Sequence, residues 1–224
     1  AFERAAKCKS AFMANSFLRQ SPLAHLHLAA RSNASNALPV AGVLISERPY
    51  LKKLSLRGNA NDPKFMAAIK KVFKLPLPIK PCTSFSNKTG SSHNLWMGPD
   101  EWLIVSPSNE AEYLFSNLNK ALKNQYYGLV DNTESRTLIR LSGSQARRVL
   151  EKGCFIDLHP RSFKQGSVVN TLLGQAHITL HLTALTDTAD YPIFDLYIHR
   201  SFAEYLWSWL EDASCEYGLE NNSD

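Results

Sequence analysis

The chain has 224 residues, 44% of them apolar and 20% charged, with a formal net charge of +5. This is an ordinary globular composition with room for one bilobal unit or two small lobes. No apolar run approaches the ~20 residues that cross a bilayer, and no long apolar stretch marks a secretory signal, so the expectation is a soluble, cytoplasmic protein without a membrane partner.

Residues 1–40 are rich in Ala, Ser, Asn and Arg with weak periodicity, and read as an extended or partly disordered arm. Arg4, Lys7 and Lys9 against Glu3 put a net +2 on residues 1–12 and leave +3 for the rest. Met13-Ala14-Asn15-Ser16 reads like a natural start, which makes 1–12 a tag or extension. Elsewhere basic and acidic residues alternate, and no basic run interleaves with aromatics, so nucleic acid is not an expected partner.

A first lobe is expected over 41–132. Residues 51–57 alternate with period two and end at Gly58, the pattern of a strand. Asn61-Asp62-Pro63 supplies a cap and a first-turn proline, and Met66, Ile69 and Phe73 fall on one stripe, so 63–74 reads as a helix. Three prolines make 75–81 irregular. Strands at 93–97 and 101–106 flank the Gly98-Pro99-Asp100 turn. Asn109 and Glu112 look like a capping box opening a helix with Leu114, Leu118, Ala121 and Leu122 inward, followed by a strand at 127–131. Strand, helix, strand, strand, helix, strand over 51–131 is the split βαβ order of a ferredoxin-like fold.

A second lobe is expected over 133–217, with a disordered tail at 218–224. It opens with a strand at 135–141 and a helix carrying Ala146, Val149 and Leu150 inward, with Gly153 as a left-handed stop. Strands near 168–173, 176–183 and 192–199 follow. Ser201 and Glu204 suggest a capping box for a last helix, 202–215, with Phe202, Tyr205, Leu206, Trp209 and Leu210 on one face and Trp207 off it. The fold class is therefore α+β, with an antiparallel sheet and helices in the second lobe.

The chemistry-bearing residues are dispersed. Cys8, Cys82, Cys154 and Cys215 stand singly, without the spacing of a zinc site or disulfide framework. His177 and His181 lie in an alternating strand, about 13 Å apart along it, too far to share one metal ion. Asp157 and His159 form an acid/base couple on paper, but Asp157-Leu158-His159-Pro160 reads better as a turn. Asp100 and Glu101 point to opposite faces if they start a strand. Phosphate-binding glycine loops and a nucleophile elbow are absent, and Lys88-Thr89-Gly90 has none of its companion motifs. No catalytic, cofactor-binding or metal residue is assigned. Trp96, Trp102 and Trp207 are the candidate subunit-contact residues, since tryptophan is enriched at interface cores.

Four segments, in order, resemble the sarcosine oxidase gamma subunit family: Ser21–His25, Met97–Leu103, Gly153–Phe163 and His199–Leu210. The resemblance spans about 21–210, and residues 1–12 and 29–37 depart from it. It implies a fold akin to the folate-binding domain of glycine-cleavage aminomethyltransferases. It also implies a structural subunit docking on the alpha subunit of a heterotetramer with beta and delta. That complex oxidises sarcosine to glycine, forms hydrogen peroxide and passes a one-carbon unit to tetrahydrofolate. FAD, FMN and NAD would sit on alpha and beta, tetrahydrofolate on alpha, and no cofactor on this chain. The competing expectation is a stand-alone folate-binding or one-carbon transfer protein of the same fold.

Overall fold

The structure is a computed structural model that describes residues 19–28, 41–185 and 191–221, with side chains at 108–112 and 221 left aside. In chain order the described elements are strands β1 (Val43–Glu47) and β2 (Lys52–Gly58), helix α1 (Pro63–Phe73), and strands β3 (Ser84–Ser86), β4 (His93–Gly98) and β5 (Glu101–Ser106). Helix α2 (Ser108–Leu122), strands β6 (Tyr127–Asp131) and β7 (Arg136–Ser142), and helix α3 (Ala146–Glu151) follow. Strands β8 (Val168–Leu173), β9 (Ala176–Leu185) and β10 (Pro192–His199), helix α4 (Ala203–Ser214) and strand β11 (Leu219–Asn221) are the last of the described elements.

The first lobe follows the pattern of its sequence. Asp62 caps α1 by accepting from the Lys64 amide at 2.8 Å, with Pro63 pre-set in the first turn. Its sheet has the order β3-β4-β5-β2-β6, and β4-β5-β2-β6 is the ferredoxin-like arrangement with β3 added at one edge. Helices α1 and α2 cover one face through Phe65, Ile69, Leu114, Leu118 and Leu122, which pack on Leu54, Leu56, Trp102 and Ile104. Helix α2 begins at Ser108 behind Pro107, so Asn109 lies within the helix; its side chain and that of Glu112 are outside the described residues.

The second sheet has the order β11-β1-β7-β10-β9-β8. The expected boundary at residue 41 is therefore corrected: β1 belongs to the second sheet, antiparallel to β7 and parallel to β11. Residues 219–221, expected to be tail, pair with Val43, Leu44 and Ile45. Without β1, the run β7-α3-β9-β10-α4-β11 has the ferredoxin-like order a second time, with β8 added outside β9. Two glycines make the insertion possible. A Cβ on Gly143, whose φ is +115°, would collide with the Gly42 carbonyl, and one on Gly42 would lie 2.7 Å from the Tyr217 carbonyl. In return, the Gly42 amide donates to Tyr217 O and its carbonyl accepts from the Gln145 amide, both at 3.0 Å.

Other local expectations are revised. Gly153 has no positive φ; it is glycine because a Cβ there would meet the Trp209 ring at 2.5 Å. Ser201 lies in a short 3-10 turn (Arg200–Phe202), and no side chain caps α4. The buried face of α4 carries Ala203, Leu206, Trp207, Leu210 and Ala213, so Trp207 is the inward tryptophan and Phe202 and Tyr205 face outward. Of the expected arm, 1–18 and 29–40 are outside the described residues, as are 222–224 of the tail. Residues 19–28 lie on the second lobe, where Leu23 is buried in its core and Ser21 hydrogen-bonds Glu47.

Candidate functional site: a polar seam opening into a cleft

Alternation on each strand sends one set of side chains to the helices and the other to the facing sheet. On β7, Ile139 and Leu141 enter the helix-side core while Leu138 and Arg140 face the first lobe. The register then sets out cross-strand rows. Arg140, Asp195, His181 and Val168 form one, and Leu138, Tyr197, Thr179 and Asn170 the next. Arg136 and His199 begin a third, at the sheet's open end, near His177 and Leu172. The first lobe answers with His93, Leu95, Leu103 and Val105.

The innermost row is mostly polar, with Asp195 and His181 buried and Arg140 reaching the surface. Asp195 is 1% exposed and accepts two hydrogen bonds from Arg140, Nε to Oδ1 at 2.7 Å and Nη2 to Oδ2 at 2.9 Å, the forked geometry suited to a guanidinium. His93 and His181 meet edge to face at 5.0 Å between ring centroids. Ser86 Oγ lies 2.8 Å from His93 Nδ1 and Ser84 Oγ 2.9 Å from His181 Nε2. Burial lowers the pKa of both imidazoles; for His181, which falls well below the ordinary value, His93 and Arg140 add to the effect. The Tyr197 hydroxyl is pushed well up, first by burial and then by Asp195. A Ser–His pair resembles a nucleophile with its base. However, His181 Nδ1 has no hydrogen-bond partner and Asp195 is occupied by Arg140, so no third group orients the imidazole as a base. The row fastens β3 and β4 to the second sheet.

At the other end the sheets part into a cleft of about 580 Å³, lined by Met97, Glu101, Arg136, Phe155, His177 and His199 among others. Arg136 is half-buried, and burial lowers its pKa against the attraction of Glu101. Glu101 itself is held by Arg57 at 2.6 Å. The pKa of His199 is lowered, first by burial and then by Arg136. Phe155 stands over the rim 86% exposed.

The structure corrects the tryptophan expectation. Trp102 and Trp207 are 0% exposed, one in each lobe's core, and present nothing to a partner. The Trp102 indole donates to Pro78 O at 2.8 Å. Trp96 pairs with Trp102 across the hairpin and is half-buried. His181 is buried and His177 exposed along β9, and Asp157 accepts from the His159 amide at 2.9 Å in a turn. Among the described residues, no three His, Cys, Asp or Glu side chains converge as metal ligands, and no helix is long and apolar enough to cross a membrane. Sequence reading missed Arg136 and Arg140, though their spacing on an alternating strand puts both on one face. It took Phe155 only as part of a motif.

Comparison with known proteins adds to this geometry. The gamma subunit of sarcosine oxidase from Corynebacterium sp. (strain U-96) is 30% identical over 200 residues, covering 89% of this chain and 92% of that one. That from Arthrobacter sp. is 30% identical over 203 residues, with the same coverage of both. A chain of heterotetrameric sarcosine oxidase from Corynebacterium sp. U-96, solved with pyrrole 2-carboxylate, superposes with a TM-score of 0.77 and 29% identity, covering 89% of this chain and 96% of that one. The glycine cleavage system aminomethyltransferase T of Bartonella henselae superposes with a TM-score of 0.62 over 91% of this chain and 59% of that one; at 16% identity it shares the fold alone. The sarcosine oxidase gamma subunit family model matches residues 57–216, and together with these relatives it shows that the chain belongs to the sarcosine oxidase gamma subunit family.

Proposed function

We propose that this chain is a non-catalytic assembly subunit of a cytoplasmic heterotetrameric sarcosine oxidase. It docks on the alpha subunit, with beta and delta completing the complex. That complex oxidises sarcosine to glycine, releases hydrogen peroxide and passes the one-carbon unit to tetrahydrofolate. FAD, FMN, NAD and tetrahydrofolate are held by the partner subunits. The observation that carries this reading is the superposition on 96% of a chain from a solved heterotetrameric sarcosine oxidase. The interior agrees with it: the buried Asp195 is held by Arg140 within its own sheet, and the buried His181 joins the two sheets through Ser84 and His93.

The test is to purify the chain alone and after co-expression with the alpha subunit. Alone, it is expected to be colourless, to form no peroxide from sarcosine and to give no heat with tetrahydrofolate in titration calorimetry. Co-expressed, it is expected to co-purify with alpha at one-to-one stoichiometry. Micromolar tetrahydrofolate binding by the isolated chain would replace this reading with that of a one-carbon carrier.

A further inference from the structure

The cleft at the open end of the seam contains a charge that the chain does not neutralise. Among the described residues the Arg136 guanidinium makes no hydrogen bond or ion pair, and its nearest anion, Glu101, is already bound by Arg57. A half-buried guanidinium with five free donors lacks the hydration it would have outside and the forked acceptor that would replace it. His199, its register partner across β7 and β10, has its pKa lowered by burial and then by Arg136. The walls are otherwise apolar or neutral: Met97, Leu172, Ile178, Asn170 and Thr179.

Phe155 is the second observation. It is 86% exposed at the rim of the same cleft, in a segment where neighbouring Leu158 and Phe163 are buried. An isolated exposed apolar residue is unremarkable. A large aromatic lining the same cleft as an unmatched, partly desolvated arginine is the composition of an interface centre, where Phe and Arg are enriched.

We infer that this cleft receives an acidic side chain of the alpha subunit, whose carboxylate pairs bidentately with Arg136 while an adjoining apolar residue packs on Phe155. The inference rests on the proposed subunit role and specifies the surface that performs it. Charge complementarity selects the occupant. A basic or neutral segment would leave Arg136 unmatched, and a second copy of this chain would bring another arginine and phenylalanine to a two-fold contact.

The test measures affinity of the isolated chain for alpha by biolayer interferometry, for wild type, Arg136→Glu, Arg136→Met and Phe155→Ala, beside thermal melts of each. Arg136→Met and Phe155→Ala are expected to weaken binding at least about tenfold, and Arg136→Glu more. All should melt within a few degrees of wild type, because Phe155 is 86% exposed and Arg136 makes no hydrogen bond or ion pair among the described residues. Binding of wild type should weaken as salt rises from 0.1 to 0.5 M, and that of Arg136→Met less steeply. Arg136→Met supplies the answer if the charge reversal fails to fold. Wild-type affinity in all three variants overturns the inference while leaving the subunit role intact. Failure of wild type itself to bind alpha overturns the role as well. If free glutarate raises the melting temperature of wild type but not of Arg136→Met, and assembly is indifferent to both changes, the cleft is a small-carboxylate site and the inference is also overturned.

Discussion

The two lobes carry the same succession of strand, helix, strand, strand, helix, strand, but they close differently. The first pairs only its own strands, and each finds its neighbours within residues 52–131. The second admits β1, made about 90 residues earlier, between its first and last strands. Alternation and caps determine what an element is; the backbone space beside it determines which neighbour it takes. At the second lobe that space is set by Gly42 and Gly143.

The largest expected effects come from the buried tryptophans, one per lobe. Trp102→Ala and Trp207→Ala should each cost about 3–5 kcal/mol in denaturant unfolding. Because β1 and the seam join the lobes, each change should lower one common transition; two separate melts would show that the lobes are thermodynamically independent. Next is the insertion itself. Gly143→Ala should cost about 2–3 kcal/mol, from backbone strain at φ +115° and collision with Gly42. Hydrogen exchange should show protection lost first in β1 and β11. Uniform loss would show that β1 and β11 open only with the rest of the sheet.

A smaller effect distinguishes the inner faces. Lys53 is fully buried in the first lobe, donates to Leu51 O at 2.7 Å, and has its pKa lowered to about 8, chiefly by burial. The unfolded chain, with an ordinary lysine near 10.5, holds the proton more tightly across the window from 8 to 10.5. Stability from this residue therefore rises through that window, by at most about 1.4 kcal/mol per pH unit. Lys53→Met should flatten that rise, as read by urea melts at pH 8 and pH 10; an unchanged slope would show that Lys53 is not its source.

Much of the first lobe was legible because its signals are local. Asp62-Pro63 starts α1, the turn at Gly98-Pro99-Asp100 joins two alternating runs, and consecutive pairing is the commonest outcome for neighbouring strands. Val43–Glu47 carried no sign of pairing with residues across the chain, and three residues at 219–221 are too short to show a period. On α4, Trp207 and Trp209 lie about 200° apart, so one had to leave the core. Tertiary packing chose: Trp209 is held half-buried against Gly153 while Trp207 goes inward. Phe155 and Arg136 come to line one cleft only through the folding of β7 and the segment before β8, so no spacing of residues announces it.

Strand β1 also orders events during synthesis. Val43 and Ile45 leave the ribosome with no partner until β7 follows, roughly 5–20 s later at ordinary elongation rates. The sheet gains its far neighbour only when residue 219 is free. Arg136 and His199 share a register only after the latter has emerged, so the mouth of the cleft cannot take shape on a half-made polypeptide. The proposed docking through that mouth therefore waits until β10 has emerged and paired with β7.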